Sequence, residues 1–397
     1  MKFLQLCVLA YSAPINGEPN NNSLIYFAIS ALCVEMSKTE NINQPNISFT
    51  FRNKMSAKIV TVNYIGTIEN AEKIELAGVL GWQVVVKKDE FKVGDLGVYF
   101  SIGSILPSSN PVFAFLQDKP LKTRKIMGTI SQGLLLPLSC FMFEEELQEG
   151  QDVTELLKVT KYIPKEEESV YQNGQPGKER KNTFPSYVPK TDEERVQNIP
   201  HILPSLQNVP VVITQKYDGT STTFVYYCSS EQTEKREEFK ICGRNFWLEN
   251  RDKSTEHYFA IAERYGIKEG MEKLGKNLAI QGEIVGDKIN NNRLKYPIKS
   301  IDFFVFNIYD IDNSKYLLWE EIVEICDILK LKTVPVVYQG LFKDEWTSVE
   351  NLISLSNSQE YSPGVYAEGI VLKSNSSLFP RFSCKVISNN YLLKYNL

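Results

Sequence analysis

Residues 211–227, VVITQKYDGTSTTFVYY, place a single lysine, Lys216, between two apolar runs. The β-branched and aromatic residues predict two strands, and the Asp218-Gly219 pair predicts a tight turn after the lysine. An ammonium that is buried without a partner costs free energy, so a lysine in this setting needs a chemical reason. A lysine amine that is neutral at working pH can act as a nucleophile. Lys216 is therefore the first candidate for a catalytic residue.

The composition is that of a globular chain long enough for about two or three domains. Of the 397 residues, 43% are hydrophobic and 23% are charged, and the formal net charge is -4. A nucleic acid partner would therefore have to be bound by a local groove, since the overall charge does not attract it. The seven cysteines include no C-x-x-C pair, and the only histidines are His201 and His257. This pattern argues against a zinc site, a disulfide framework and a histidine-based hydrolase, and it predicts a reducing compartment.

The first 54 residues have two interpretations. MKFLQLCVLAYSA (1–13) has the outline of a secretory signal, and SLIYFAISALCV (23–34) is a second apolar run that is too short to span a bilayer. Alternatively, residues 1–54 are an extension that is disordered or not part of the functional protein, and Met55 is the natural start. We favour the second interpretation, because strand-like patterning begins at Met55.

Residues 55–160 are predicted to form a small all-β module. Runs of β-branched or aromatic residues alternate with Gly and Pro, which predicts short strands, and an OB-type barrel is one candidate for their arrangement. One segment, KPLKTRKIMG (119–128), concentrates four basic residues near a turn: Lys119, Lys122, Arg124 and Lys125. This cluster is either a solvated hairpin or a surface that contacts nucleic acid phosphates.

A linker and a mixed α/β domain follow. Residues 161–185 are charged and rich in Pro and Gly, which predicts the linker, and residues 186–397 form the second domain. Its predicted strands are 211–227, 278–286, 301–311, 365–373 and 381–388, and its predicted helices are 254–266 and 318–331. The first helix has Ser254 as its predicted cap, and the second shows Ile322, Ile325 and Leu329 at helical spacing.

The predicted strands of the second domain share one unusual feature. They carry isolated charges within apolar runs, namely Lys216, Glu283, Glu368, Lys373 and Lys385. Any one of these would fit an edge strand or a solvated face. Together on one concave surface, three ammonium groups and two carboxylates suit a polyphosphate and a divalent cation. Burial and the neighbouring cations would then lower the pKa of Lys216, so that its amine is neutral.

Five short segments resemble, in order, motifs I, III, IIIa, IV and V of the covalent nucleotidyltransferases. They are KYDG (216–219), QGEIVG (281–286), FFVFNIYD (303–310), AEGIVLK (367–373) and FSCKVIS (382–388). This superfamily comprises ATP-dependent DNA ligases, RNA ligases and mRNA capping enzymes. ICGRNFWL (241–248), together with a barrel-like module before the catalytic domain, looks most like the RNA ligases with an N-terminal OB domain. The resemblance implies an α+β domain of ATP-grasp-like antiparallel sheets with helices, preceded by a small OB-type barrel.

The resemblance further implies an ATP-dependent RNA ligase that acts in three steps. Lys216 attacks the α-phosphate of ATP, the AMP passes to an RNA 5′-phosphate, and a 3′-hydroxyl displaces the AMP. RNA repair is the implied role, and Mg²⁺ or Mn²⁺ is the implied metal. The need for ATP and RNA predicts an intracellular protein, in the cytoplasm, the nucleus or an organelle, and we expect a monomer that does not enter a membrane.

The implied residue roles centre on the nucleotide. Lys216 would carry the AMP, Glu368 would contact metal-bound water, and Glu283 would bind the ribose or the metal. Either Phe304 or Phe306 would stack on adenine. The other implied nucleotide-binding residues are Gln215, Asp218, Gly219, Arg244, Lys373, Lys385 and Arg195, and the basic cluster supplies Lys122, Arg124 and Lys125 as candidates for RNA binding.

One position departs from the superfamily pattern. Motif V in many relatives has two lysines around one residue, whereas this chain has Ser383, Cys384 and Lys385. Either Ser383 replaces the first lysine or Arg381 supplies the cation. Two other functions stay open: another covalent nucleotidyltransferase, such as a DNA nick ligase or a capping-type guanylyltransferase, and a non-catalytic OB-containing RNA-binding protein.

Overall fold

The structure, a computed structural model, describes residues 56–162, 183–229, 237–297 and 299–397. The predicted extension at 1–54 and most of the predicted linker at 161–185 lie outside the described residues. Among the described residues, no helix is both long enough and apolar enough to cross a membrane.

The front module is built of strands, as its residue pattern predicts. They are β1 (Ala57–Thr67), β2 (Ile74–Val79), β3 (Trp82–Lys87), β4 (Leu96–Phe100), β5 (Ser104–Ile105), β6 (Arg124–Ile126), β7 (Thr129–Ser131), β8 (Leu134–Pro137) and β9 (Thr160–Lys161), with short 3-10 helices at Pro111–Leu116 and Leu138–Cys140. The main sheet has the order β3-β2-β1-β4-β8. Its two end strands, β3 and β8, approach each other. The N–H of Gln132, which lies two residues before β8, donates to the carbonyl of Gln83 in β3 at 2.8 Å. The sheet is therefore curled in the manner of a barrel.

The two faces of this sheet carry separate cores. Side chains alternate along a strand, so Ile59 of β1 packs into one apolar cluster and its neighbour Val60 packs into another. The strands of the module are apolar on both faces for this reason.

The second domain has the α+β composition that was predicted. Its strands are β10 (Glu194–Arg195), β11 (Pro210–Lys216), β12 (Thr220–Cys228), β13 (Glu237–Cys242), β14 (Leu278–Gly286), β15 (Ile301–Asp310), β16 (Lys315–Tyr316), β17 (Lys332–Thr333), β18 (Val336–Leu341), β19 (Glu360–Ser362), β20 (Val365–Tyr366), β21 (Gly369–Ser374) and β22 (Ser383–Ile387). Its helices are α1 (Glu256–Arg264), α2 (Ile267–Leu274), α3 (Trp319–Leu329), α4 (Val349–Asn357) and α5 (Asn389–Tyr395), with 3-10 turns at Val196–Asn198, Pro200–Leu206, Asn290–Asn292 and Asp344–Thr347.

Two sheets of this domain meet at the segment that contains Lys216. One sheet has the order β10-β22-β21-β11-β18, and the other has the order β13-β12-β14-β15-β16, with β17 beside β15. Strands β11 and β12 are consecutive in the chain but belong to different sheets. The turn at 217–219 therefore carries the backbone from one sheet to the other, and Lys216 lies at the crossing.

Both predicted helices are present, with small differences at their ends. In α3 the predicted apolar positions Ile322, Ile325 and Leu329 are buried, and the N–H of Leu318 donates to Glu321 Oε2 at the start of the helix. The predicted cap of α1 at Ser254 is wrong. The N-cap is Thr255, whose side chain makes no capping bond, and Asp252 accepts hydrogen bonds from the N–H groups of Ser254 and Thr255 instead.

Helices α2, α4 and α5 were not predicted from the sequence. They have eight, nine and seven residues, so their helical period is weak.

Candidate active site

A cavity of about 700 Å³ opens between the two sheets at the crossing point. Most of the predicted nucleotide-binding residues line it: Gln215, Lys216, Asp218, Gly219, Arg244, Glu283, Phe306, Glu368, Lys373 and Lys385. The isolated charges of the predicted strands therefore do share one concave surface. Phe304, Arg195 and the basic cluster of the front module do not line this cavity.

Lys216 is paired with a carboxylate. Its Nζ lies 2.6 Å from Glu368 Oε2, and the two side chains are about one quarter and one fifth exposed. Burial lowers the pKa of Lys216, but the negative charges of Glu368, Glu283 and Asp218 outweigh burial, so the pKa is raised. The predicted lowering of this pKa by neighbouring lysines is therefore wrong, because the close neighbours are carboxylates, while burial acts in the predicted direction.

Glu283 and Glu368 bring two carboxyl groups into the same small space. Burial raises the pKa of Glu283 to about 8. The positive charge of Lys216 lowers this pKa, and the negative charges of Glu368 and Asp218 raise it further. Burial also raises the pKa of Glu368, with Lys216 opposing it. Carboxylate oxygens that crowd a single ammonium favour the arrival of another cation. The chemistry of these donors therefore fits a divalent metal ion.

Asp218 is held in a network of protein side chains. Its carboxylate accepts hydrogen bonds from the hydroxyl of Tyr391, from Asn290 Nδ2 at 2.9 Å and from Arg293 Nη1 at 3.3 Å. Through Tyr391 it ties the turn after Lys216 to helix α5. The carboxylate thus serves to position the turn in the protein without nucleotide.

Gly219 is required by the packing of the turn against strand β14. A Cβ at this position would lie 2.2 Å from the carbonyl oxygen of Ile284, which is far inside van der Waals contact. The N–H of Gly219 also donates to Glu283 Oε1 at 3.0 Å. Close approach of a nucleotide was the predicted reason for this glycine, but the structure shows that a neighbouring strand already excludes any side chain.

Tyr361, which the sequence analysis missed, joins motif I to motif IV. Its hydroxyl donates to the carbonyl of Lys216 at 2.7 Å and accepts from the N–H groups of Asp218 at 3.0 Å and Glu368 at 2.9 Å. One oxygen therefore holds the backbone on both sides of the Lys216–Glu368 pair. No motif marks Tyr361, and only the distances reveal it.

We expect Tyr361→Phe to slow lysine modification by roughly tenfold with little change in the KM for nucleotide. Loss of the Tyr361 hydroxyl leaves the carbonyl of Lys216 and the N–H groups of Asp218 and Glu368 without a hydrogen-bond partner. Leaving buried polar groups unpaired costs about 1–3 kcal/mol. Single-turnover rates and thermal unfolding would measure both effects. Tyr338→Phe is the matched control, because its hydroxyl donates to the carbonyl of the exposed residue Leu341 and lies outside the cavity. Equal rates in Tyr361→Phe and Tyr338→Phe would contradict a positioning role.

Lys373 is buried and bonded to the protein. Its Nζ donates to the carbonyl of Phe306 at 2.6 Å and to Asn307 Oδ1 at 2.9 Å. Burial lowers the pKa of Lys373 to about 7, with a smaller contribution of the same sign from Arg381. Burial thus favours a neutral amine at Lys373, whereas neighbouring carboxylates raise the pKa of Lys216.

The two arginine candidates differ in their surroundings. Arg244 Nη2 pairs with Asp192 Oδ1 at 2.6 Å on the wall of the cavity. Arg195 instead lies over the ring of Trp82 of the front module, with 5.6 Å between its Cζ and the ring centroid. Its Nη1 is buried and makes no hydrogen bond within the described part of the chain.

Of the two phenylalanines predicted to stack on adenine, Phe306 faces the cavity and Phe304 does not. The ring of Phe304 packs edge-on against Tyr217 at 4.9 Å between centroids. Phe304 and Phe306 are two positions apart, so on a regular strand their side chains would face the same side. The shift in register between Gln281 and Gly282 of the neighbouring strand breaks the regular pattern here.

The departure in motif V leaves a hydroxyl without a partner. Ser383 lies opposite Lys373 in the β21–β22 pair, and its buried Oγ makes no hydrogen bond within the described residues. Arg381 is engaged elsewhere, since its Cζ lies 3.5 Å from the centroid of Tyr316 and its Nη2 lies 3.7 Å from Glu193 Oε1. Neither residue lines the cavity.

The basic cluster of the front module divides into two parts. Lys122 Nζ donates to the carbonyl of Asn396 at 2.6 Å, just after helix α5, so it joins the module to the second domain. Arg124 and Lys125 lie on β6, whose residues are all exposed. Lys119 bonds Gln117 Oε1 at 2.9 Å. Lys119, Arg124 and Lys125 are therefore open to a nucleic acid without breaking a contact between the domains.

Comparisons with known proteins agree with this architecture. The model of the RNA ligase family matches residues 209–388, and a model of an OB-fold domain matches residues 56–138. A Naegleria gruberi RNA ligase variant in its apo form is 33% identical, with a TM-score of 0.74, over 86% of this chain and 98% of that chain. A variant of the same ligase with ATP and Mn is 34% identical, with a TM-score of 0.74, over 87% of this chain and 100% of that chain. A search of curated proteins found no match.

The curled front sheet, the paired sheets behind it and the lysine-carboxylate cavity define a nucleotidyltransferase with an N-terminal OB fold. Within that class, the chain belongs to the RNA ligase family. This finding confirms the predicted family, enzyme class and fold class.

Proposed function

We propose that this RNA ligase uses ATP and a divalent metal ion to join RNA 3′-hydroxyl and 5′-phosphate ends. The observation that carries the proposal is the Lys216–Glu368 pair, 2.6 Å apart, in a cavity that also presents Lys385 and Arg244. A nucleophile, a carboxylate and cations that bind phosphate are the groups that nucleotidyl transfer needs. The Naegleria gruberi RNA ligase has been solved with ATP and Mn, with AMP and Mn, and with PPi, which supports the same ligands here.

The proposed reaction has three steps. The neutral Nζ of Lys216 forms a bond to the α-phosphorus of ATP and loses a proton as the bond to pyrophosphate breaks. An oxygen of the RNA 5′-phosphate then bonds to the phosphorus of AMP, the bond to Nζ breaks, and the amine regains a proton. The RNA 3′-hydroxyl finally attacks the same 5′-phosphate, loses its proton and expels AMP as the new phosphodiester forms.

Glu368 and Glu283 are the residues that would hold the metal ion. When bound, a divalent ion supplies positive charge that lowers the pKa of Lys216 and balances the phosphates. The described residues contain no cluster of three or more metal-ligating side chains, so phosphate oxygens and water would complete the coordination. Both Mg²⁺ and Mn²⁺ accept oxygen ligands of this kind.

We propose that the OB module at 55–160 binds the RNA and that the domain at 186–397 carries out adenylylation. RNA repair is the proposed role. The use of ATP and RNA supports an intracellular location, and a single chain that holds all five motifs supports a monomer.

The experiment that tests the proposal is incubation with radiolabelled ATP or GTP and Mg²⁺, followed by a denaturing gel and a sealing assay on nicked RNA. We expect a labelled protein band with ATP and not with GTP, no band in EDTA, and sealed RNA. A band with GTP alone would favour a capping-type enzyme. Failure of the wild-type protein to form any adduct would overturn the proposal.

The exposed part of the basic cluster allows a separate prediction. We expect Arg124→Ala with Lys125→Ala to weaken RNA binding and to flatten its salt dependence, because each phosphate contact contributes about 0.7 to the slope for single strands. Lys122→Ala should lower the midpoint of thermal unfolding instead, since its ammonium bonds the carbonyl of Asn396. Binding to a 5′-phosphorylated RNA at several salt concentrations would measure the first effect. An unchanged slope in the double variant would identify β6 as a solvated hairpin.

A further inference from the structure

The loop between β14 and β15, described at 287–297 and 299–300 and here called the basic loop, stands out by its charge. It contains the basic residues Lys288, Arg293, Lys295 and Lys299 and one acidic residue, Asp287, in a chain whose net charge is -4. The side chains of Lys288, Lys295 and Lys299 are exposed. None of the three makes an ion pair or a side-chain hydrogen bond that involves the described residues.

These three lysines also have an unfavourable backbone conformation. The φ angles of Lys288, Lys295 and Lys299 are 64°, 58° and 61°. Residues with a Cβ rarely adopt the left-handed region, and Asn or Gly adopts it at lower cost. The same loop places Asn290, Asn291 and Asn292 at left-handed angles, where asparagine is favoured. Asparagine would therefore suit these three positions better, and lysine places positive charge there at a conformational cost.

The basic loop is firmly attached to the protein. Ile289 and Leu294 are buried, and Asn290 Nδ2 donates to the carbonyl of Gly219 at 2.6 Å. Asn292 and Tyr296 exchange hydrogen bonds of 2.8 Å. The lysines therefore project from a fixed support.

The basic loop also borders the active site. Its residues Asn290, Asn291 and Arg293 line the cavity that contains Lys216. Lys288 and Lys295 flank this lining segment on both sides. A polyanion that is held by these lysines would therefore lie along a loop that forms part of the cavity wall.

We propose that the basic loop binds the phosphate backbone of the RNA strand whose end is joined, through Lys288, Lys295 and Lys299. The proposal rests on the proposed RNA-joining function and adds an RNA contact on the catalytic domain. Contacts to backbone phosphates fix the position of a nucleic acid without reading its sequence. The loop thereby brings the RNA end to the cavity.

The test replaces all three lysines by asparagine, which removes the charge and suits the left-handed backbone. With a 5′-phosphorylated single-stranded RNA as probe, the slope of log affinity against log salt should fall in magnitude by about 2. RNA sealing should fall with it, while the midpoint of thermal unfolding should not decrease. Replacement of the same three lysines by arginine keeps the charge and should keep RNA affinity within about twofold.

The matched control is Lys158→Asn with Lys253→Asn and Lys330→Asn. This variant also removes three positive charges. The backbones of Lys158 and Lys330 are left-handed as well, with φ angles of 53° and 55°. Equal loss of RNA affinity in the control would show an effect of net charge alone and would overturn the proposal. So would wild-type binding in the loop variant.

Lysyl-AMP formation without RNA is the internal reference. A parallel loss of adduct in the loop variant would assign the basic loop to the nucleotide and would also overturn the proposal. Failure of the RNA-joining function itself would appear differently, because the wild-type protein would then form no adduct or seal no RNA.

Discussion

Lys216→Ala and Lys216→Arg are each expected to form no detectable covalent nucleotide adduct. Alanine removes the nucleophile, and arginine keeps its proton at any working pH and cannot attack phosphorus. Arginine can still pair with Glu368, so we expect Lys216→Arg to remain folded. Labelled ATP and a denaturing gel would measure the adduct, and thermal unfolding would confirm the fold.

Lys343→Arg is the matched control for this experiment. The side chain of Lys343 is about half exposed and lies outside the cavity, so its variant should form adduct at the wild-type rate. A wild-type yield of adduct in Lys216→Arg would identify another residue as the nucleophile. Lys373 would be the next candidate, because burial lowers its pKa to about 7.

Glu368→Gln is expected to slow adduct formation by roughly 10²–10³-fold, the range for loss of one preorganised electrostatic group. Two physical effects of this change oppose each other. Removal of the carboxylate lets the pKa of Lys216 fall, which favours the neutral amine, because Glu368 is the largest influence that raises it. Removal of the same carboxylate also weakens the site for a divalent ion. We expect the second effect to dominate, because the phosphates bring further negative charge into the cavity.

Adduct formation against pH and against metal concentration separates the two effects. If Glu368 binds the ion, Glu368→Gln should require more Mg²⁺ or Mn²⁺ at every pH. If Glu368 only holds the ammonium, the variant should be faster than the wild type near neutral pH, and that result would contradict our expectation. Glu283→Gln is the comparison variant. Its amide oxygen can still accept the hydrogen bond from the N–H of Gly219, so its loss should be smaller.

Several features of this protein could be predicted because they depend on neighbours in the chain. Strand and helix patterns depend on alternation over a few residues, which is how β14 and the buried face of α3 were recognised. The five motifs are contiguous segments of the sequence, so their order indicated the superfamily, and ICGRNFWL with the preceding barrel-like module indicated the RNA ligases. Short helices such as α5 contain too few residues for a period to be recognised.

Distances between segments could not be predicted in the same way. The sequence contains five isolated charges, but the sign of their effect on Lys216 depends on which of them lie near its Nζ. Coulomb energy falls with distance, so the carboxylate at 2.6 Å outweighs lysines on neighbouring strands. The predicted effect of neighbouring lysines on the pKa of Lys216 was therefore wrong, although most of the residues predicted to bind nucleotide line one cavity.

Contiguous residues were enough to predict the main strands around Lys216, the nucleophile candidate and the family. Which side chains meet depends on the folded chain. The register of β11 with β21 places Lys216 opposite Gly369, which brings the neighbouring Glu368 to its amine across 152 positions of the chain. The hydroxyls of Tyr361 and Tyr391 reach motif I from distant segments in the same way. The left-handed φ angles of Lys288, Lys295 and Lys299 could not be predicted from the sequence either. They depend on how the loop packs and hydrogen-bonds in the folded protein.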